Sequence, residues 1–137
     1  LASAFDSAGQ RCSALRVLLL QEDVAGSMID MLLGAARELV IGDPLDYATD
    51  VGPVINAEAK EALEQHKARM RHEARELLAL PLPPPCAYGT YVSPAIYAIP
   101  SLTLLPPVDW KPSNRSSSPR VAWKSCRAPR WRPHRRR

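Results

Sequence analysis

The last thirty-two residues of this 137-residue chain limit what the rest of it can fold into. Residues 106 to 137 hold ten basic residues and one acid, Asp109, a net charge of +9, whereas residues 1 to 105 hold eight basic and thirteen acidic residues, a net −5. Six of the fourteen prolines and all three tryptophans (Trp110, Trp123, Trp131) fall in that stretch, with Ser116-Ser117-Ser118 and a closing Arg135-Arg136-Arg137. Prolines at this density interrupt helices and strand ladders, and the apolar residues follow neither a 3.6 nor a 2.0 period. Such a segment cannot bury enough surface to offset its ordering entropy, so a disordered basic tail is expected. The folded part is then one small domain of residues 1–105.

That body reads as α/β. Leu1 to Ala8 has the character of a helix end, closed by Gly9, which tolerates the left-handed conformation helices often finish on. After the loop Gly9-Gln10-Arg11-Cys12, Ala14 to Leu20 is a nearly continuous apolar run, as expected of a strand covered on both faces of a parallel sheet. Val24, Met28, Met31, Leu32, Ala35 and Leu39 then recur at helical spacing as an inward face, behind Glu22 and Asp23 at the electropositive start, until Gly42-Asp43-Pro44 stops the helix. Asp50 to Ile55 is a turn or short extended piece. Ala57 to about His72 reads as a helix with Glu58, Lys60, Glu61, Glu64, Lys67 and Arg71 on its wet face. Leu77 to Leu80 and the stretch from Gly89 to Ile99 have strand character, joined through the rigid connector Pro81 to Pro85.

Several classes of function are excluded. No apolar run reaches the roughly eighteen residues of a membrane-spanning helix, and no signal peptide is expected. Cys12, Cys86 and Cys126 form no CxxC pair and leave one over if two were bridged, which argues for a reducing, cytoplasmic setting. His66 and His72 lie on different helical faces and His134 is in the tail, so no metal cluster is expected. Neither a Walker motif nor GxGxxG occurs. Cys12, between a flexible glycine and a strand start, is where a thiol can sit in a cleft with backbone N–H groups nearby, and Arg11 beside it could favour the thiolate. A small buried hydrophobe is the other reading of such a cysteine. Cys86 and Cys126 read as incidental.

Ser7-Ala8-Gly9-Gln10-Arg11-Cys12-Ser13-Ala14-Leu15-Arg16 resembles the nucleophile segment of the aldehyde dehydrogenase superfamily, in which a Gly-Gln-x-Cys motif carries the catalytic thiol. Leu20 to Val24, Ile41-Gly42-Asp43-Pro44, Thr49 to Ile55 and Leu80-Pro81-Leu82-Pro83 are similar to the L-glutamate γ-semialdehyde (1-pyrroline-5-carboxylate) dehydrogenase half of bacterial proline utilisation A proteins. The resemblance runs to about Leu105 and implies a partial catalytic domain, a parallel-type sheet with flanking helices. It implies Cys12 as covalent nucleophile toward a small aldehyde, Ser13 as hydrogen-bond partner of the substrate carboxylate, NAD as cofactor and an oligomeric parent. Arg11 is expected to brace the loop, and Gly52-Pro53 to be a structural turn.

The family's cofactor domain, hydrolytic glutamate and oxyanion asparagine precede this segment. A Glu-x-Phe-Gly-Pro segment should follow Leu105, where Pro106-Pro107-Val108-Asp109-Trp110 stands instead. The expectation is therefore a fragment, inactive alone, with a tail translated out of frame; coding DNA whose other frames hold no such segment would refute the last point. Two rival readings remain. One is a basic arm that binds nucleic acid or anionic surfaces unspecifically. The other is an inert piece that associates with intact dehydrogenase subunits.

Overall fold

Val17-Leu18-Leu19-Leu20 forms strand β1 (Val17–Gln21), and helix α2 (Glu22–Arg37) leaves it without a linking residue. A short helix α1 (Ala2–Phe5) precedes them. The structure, a computed structural model, describes residues 1–105 and the backbone of residues 122–126. Helix α3 (Ala57–Glu73) and strands β2 (Arg75–Ala79), β3 (Ala95–Ala98) and β4 (Ala122–Cys126) complete the regular elements, with 3₁₀ turns at Asp6–Gly9, Pro84–Tyr88 and Leu102–Leu104.

The four strands make one sheet in the order β1-β4-β3-β2. β4 is parallel to both β1 and β3, and only β2 runs antiparallel, paired with β3 and slipping register between Glu76 and Leu78. The expected parallel-type sheet is thus present with one antiparallel edge. Within the tail, residues 122–126 run as a strand in the slot between β1 and β3. Ladder pairing is made by backbone N–H and C=O groups, so an open slot accepts a segment whose side chains show no strand period. The other tail residues, Cys126's thiol included, lie outside what is described.

Ala14 to Leu20 was expected to be covered on both faces, but the strand starts at Val17 and lies at the sheet edge, leaving Leu19 55% exposed. Helix α2 buries Ala25 and Ala36, with Met28, Ile29, Leu32 and Leu33 packed beside them, while Val24, Met31 and Ala35 face outward. Its phase is fixed by its direct exit from β1, and small residues at 25 and 36 let the helix approach the core closely.

Asn56 caps α3, its Oδ1 accepting from Ala59 N–H at 2.8 Å, and the helix buries Leu63, Lys67 and Met70 at i, i+4, i+7 spacing. Lys67 therefore leaves the wet face assigned to it. Its stem packs inward, and its ammonium meets Glu64 at 3.2 Å. The larger core gathers Ala4, Phe5, Leu20, Ala25, Ala36, Ile41, Val51, Cys86 and Ile96, and a second gathers Met70, Tyr97 and Ile99.

Tyr97 is 3% exposed and its hydroxyl finds no hydrogen-bond partner among the described residues. Burial first, and then the Glu76 carboxylate, push its phenol from 10.0 up to about 12. Because the folded value lies above the unfolded one, the folded chain keeps a proton that the unfolded chain releases. That contribution to stability is fully present below about pH 10 and is lost as pH rises to about 12. Tyr97→Phe is expected to abolish this alkaline loss and to raise the unfolding free energy at neutral pH by about 1 kcal/mol, since an unsatisfied buried hydroxyl disappears. Denaturant titrations of both chains at neutral and alkaline pH test it.

Candidate active site

The site is built around a change of chain direction. Helix α1 stops at Phe5, and Ser7 (φ 55°), Ala8 (φ 52°) and Gly9 (φ 67°) follow as three consecutive left-handed residues. The expected helix to Ala8 thus ends three residues early, while Gly9 does take the left-handed conformation foreseen for it. A left-handed residue with a Cβ costs roughly 1–2 kcal/mol, so Ser7 and Ala8 need compensation from their surroundings. Ala4 and Phe5 are buried on one side, and Leu15 N–H donates to Ser3 O at 2.8 Å on the other, so the two ends of the loop are fixed across it.

Cys12 lies on the resulting loop, exposed and unoxidised. Ala14 N–H donates to Arg11 O at 3.1 Å, which closes a turn around Cys12 and Ser13 and leaves their own N–H groups outside the turn bond. Those are the donors able to meet an oxyanion formed at the thiol. Arg11 reaches back to Asp6 at 3.4 Å, with both side chains half exposed, and so braces the loop. Arg16 adds hydrogen bonds to Ala14 O at 3.2 Å and to Arg11 O at 3.4 Å. Ser13 is exposed next to the thiol.

Gln10, to which no role was assigned from the sequence, has the longest reach of the group. Its Nε2 donates to Ser7 O at 3.1 Å and to Pro53 O at 3.5 Å, and its Oε1 accepts from Ile55 N–H at 2.8 Å. The receiving segment is itself held. Val51 and Val54 are buried, Val54 N–H donates to Thr90 O at 2.9 Å, and Thr90 Oγ1 donates to Val54 O at 2.7 Å. The glutamine of Gly-Gln-x-Cys was visible in the sequence, but partners 43 and 45 residues away were not. Gly52-Pro53, expected to be a structural turn, shows no turn or bend and instead serves as the segment to which Gln10 docks.

Behind the loop an open cleft of about 570 Å³, its solvent-facing mouth included, is lined by Phe5, Ala8, Val54, Lys67, Ser93 and Tyr97 among others. Neither Cys12 nor Ser13 lines it. Cys86 is buried in the larger core, its thiol directed at Ile41 O at 3.8 Å, and is remote from this chemistry. His66 and Lys67 are on the cleft side of α3, and no group of three His, Cys, Asp or Glu able to hold a metal occurs among the described residues. No helix among them is long and apolar enough to cross a membrane.

An exposed thiol thus sits on a strained loop ahead of a parallel strand. The chain belongs to the aldehyde dehydrogenase family, whose family model matches residues 1–102. It is 49% identical over 104 residues to bifunctional protein PutA of Rhizobium meliloti, covering 75% of this chain and 8% of that protein. Against bifunctional protein PutA of Klebsiella aerogenes it is 61% identical over 75 residues, 55% of this chain and 6% of the other. The chain thus spans less than a tenth of these relatives' length. Among solved structures, a mutant of proline utilization A from Bradyrhizobium japonicum superposes with a TM-score of 0.78 at 48% identity, over 92% of this chain and 12% of that one. A gamma-glutamyl-gamma-aminobutyraldehyde dehydrogenase from Burkholderia cenocepacia, at 22% identity and a TM-score of 0.73, shares the fold.

The described residues do not fit the family's dinucleotide. A pyrophosphate needs a glycine-rich turn or an unblocked helix N-terminus. Here α2 opens on Glu22 and Asp23, and α3 opens on Asn56, whose side chain already takes the Ala59 N–H, with Glu58 in the first turn. Carboxylates in these positions repel phosphate.

Ser7 is exposed, so replacing it removes no packing. Ser7→Gly is expected to relieve the left-handed penalty of roughly 1–2 kcal/mol, offset in part by the greater freedom of glycine in the unfolded chain, for a net gain of about 0.5–1 kcal/mol. Equilibrium unfolding measures it; an unchanged or lower stability would show that the turn is not strained at Ser7.

Proposed function

We propose that residues 1–105 are the nucleophile-bearing part of the catalytic domain of an NAD-dependent aldehyde dehydrogenase that oxidises L-glutamate γ-semialdehyde in the cytoplasmic catabolism of proline. The family match that supports this reading ends at residue 102, before residues 106–137. The observation that carries the reading is Cys12, an exposed thiol on a turn whose Cys12 and Ser13 N–H groups lie outside the turn bond, inside a family match that ends at residue 102. The likeness to PutA proteins at 49% and 61% identity supports the choice of substrate.

In this reading Cys12 Sγ bonds to the aldehyde carbon as the carbonyl π bond breaks, and the thiol proton ends on the oxygen, giving a thiohemiacetal. The Cys12 N–H meets the oxygen while it is anionic. Ser13 Oγ donates to the substrate's carboxylate and orients the semialdehyde for attack. Bound NAD would supply the hydride acceptor, and because no described residue fits it, no step beyond the thiohemiacetal is assigned to this chain. Turnover by the chain alone is accordingly expected to be negligible.

Two measurements follow on the 137-residue chain. With NAD⁺ and glutamate γ-semialdehyde, formation of NADH should stay at the level of a Cys12→Ala control. In the same solution the semialdehyde should slow alkylation of Cys12 by iodoacetamide, read by peptide mass spectrometry. Ser13→Ala should weaken that protection about tenfold or more, as loss of a hydrogen bond to a charged group costs about 1.5–3 kcal/mol. Protection by an uncharged aldehyde such as propanal should be untouched. Equal effects of Ser13→Ala on both aldehydes would remove serine from carboxylate recognition, and no protection by either would remove Cys12 as the nucleophile.

A further inference from the structure

We infer that Gln10 is a positioning residue for the nucleophile, setting how Cys12 is presented by clamping the strained turn before it to the Pro53–Ile55 segment; the inference rests on the proposed role of Cys12. Three observations converge on the one side chain. Ser7 O, the carbonyl of the first left-handed residue, accepts from both the backbone N–H of Gln10 and its Nε2, each at 3.1 Å. The same amide nitrogen lies 3.5 Å from Pro53 O, and the amide oxygen takes the Ile55 N–H at 2.8 Å. A primary amide is the one uncharged side-chain group of this length that donates twice and accepts at once. Glutamate can only accept when ionised, and asparagine is one methylene shorter.

The direction of the constraint follows from what each side is anchored to. The Pro53–Ile55 segment is fixed independently of Gln10, through buried Val51 and Val54 and the two bonds between Val54 and Thr90. The loop at 7–13 pays backbone strain and exposes Cys12 and Ser13, so it is the partner that moves when the clamp is removed. Since Cys12 is two residues from Gln10, a release of the turn changes the thiol's exposure and its position relative to its own N–H. Positioning errors of this kind are costly in catalysis even when the displaced residue never touches substrate.

The test uses the full chain and two variants, with amide hydrogen exchange of Ile55 followed by NMR and alkylation of Cys12 and Cys86 by iodoacetamide. In Gln10→Ala the Ile55 amide should exchange about three to ten times faster, in line with the loss of one modest hydrogen bond. Cys12 alkylation should change at least about threefold, and buried Cys86 should keep its native rate. Gln10→Glu keeps the acceptor but sets a carboxylate against two carbonyl oxygens. Ile55 should then stay protected while Cys12 reacts as in Gln10→Ala. Native Cys12 rates in both variants, or native Ile55 exchange in Gln10→Ala, would overturn the inference. Should Cys86 become reactive in Gln10→Ala, that variant has lost its fold and Gln10→Glu decides alone: altered Cys12 reactivity with protected Ile55 upholds the clamp, and any other result refutes it. These readouts involve no aldehyde, so they separate failure of the clamp from failure of the proposed activity.

Discussion

Everything in the candidate site hangs on the left-handed turn at Ser7, Ala8 and Gly9. A chain emerging from α1 would otherwise continue along the helix axis, and β1 could not begin where it does. Two of the three residues carry a Cβ, so the conformation persists only because its neighbours over-determine it. Phe5 anchors the entry in the larger core, the Ser3–Leu15 hydrogen bond ties entry to exit, and Gln10 holds the first carbonyl of the turn. The thiol is thus lifted into solvent by a device whose parts are almost all N-terminal to it. Arg11, the nearest cation in sequence, is engaged by Asp6.

Much of this could be read from the residues alone, and the reasons differ from element to element. Helix α3 was legible because its charges repeat densely and Asn56 caps it where a cap was needed; its end at Glu73 lies one residue from the expected one. The family resemblance at Gly-Gln-x-Cys was legible because its residues are contiguous. Lys67 was misplaced because a lysine at the edge of a charged face can turn either way, and the decision is made by a cleft assembled from chain segments at 5–8, 51–54 and 92–97. Met31 was misplaced because helical periodicity fixes the spacing of an apolar stripe but not which of two adjacent stripes faces inward. Ala25 and Ala36, small and easily overlooked, mark the true inner face. The strand at 122–126 had no periodic signal, since ladder bonding does not depend on one.

The same distinction governs the site itself. Residues joined by covalent sequence, Cys12 and Ser13, declare themselves by type and order, whereas the group that holds them does not. Gln10 is recognisable as part of a motif, yet its partners at 53 and 55 become neighbours only because Val51 bridges Ile41 in register and Val54 is bonded to residue 90. The segment from Val51 to Val54 serves that docking, and its anchoring by burial and by Thr90 is what makes a hydrogen bond from Gln10 informative about the loop.

The loop then has two supports of different kind. On its far side, β1 is an edge strand, and its ladder partner in the sheet is β4, paired in parallel from Val17 with Ala122 to Gln21 with Cys126. That ladder fixes where β1 lies but begins five residues after Cys12, and it transmits orientation to the thiol only through Ser13 to Arg16. On the near side, Gln10 acts two residues from the thiol through contacts to a segment that is buried and doubly bonded. A net hydrogen bond is worth only about 0.5–1.5 kcal/mol wherever it occurs, so neither support wins by strength. The near one wins by leverage. Gln10 stands two residues from Cys12, whereas the ladder reaches it only past the turn closed between Arg11 and Ala14. In the proposed reading the position of Cys12 is therefore set by the loop-to-loop clamp, and the sheet supplies the frame on which both loops are mounted.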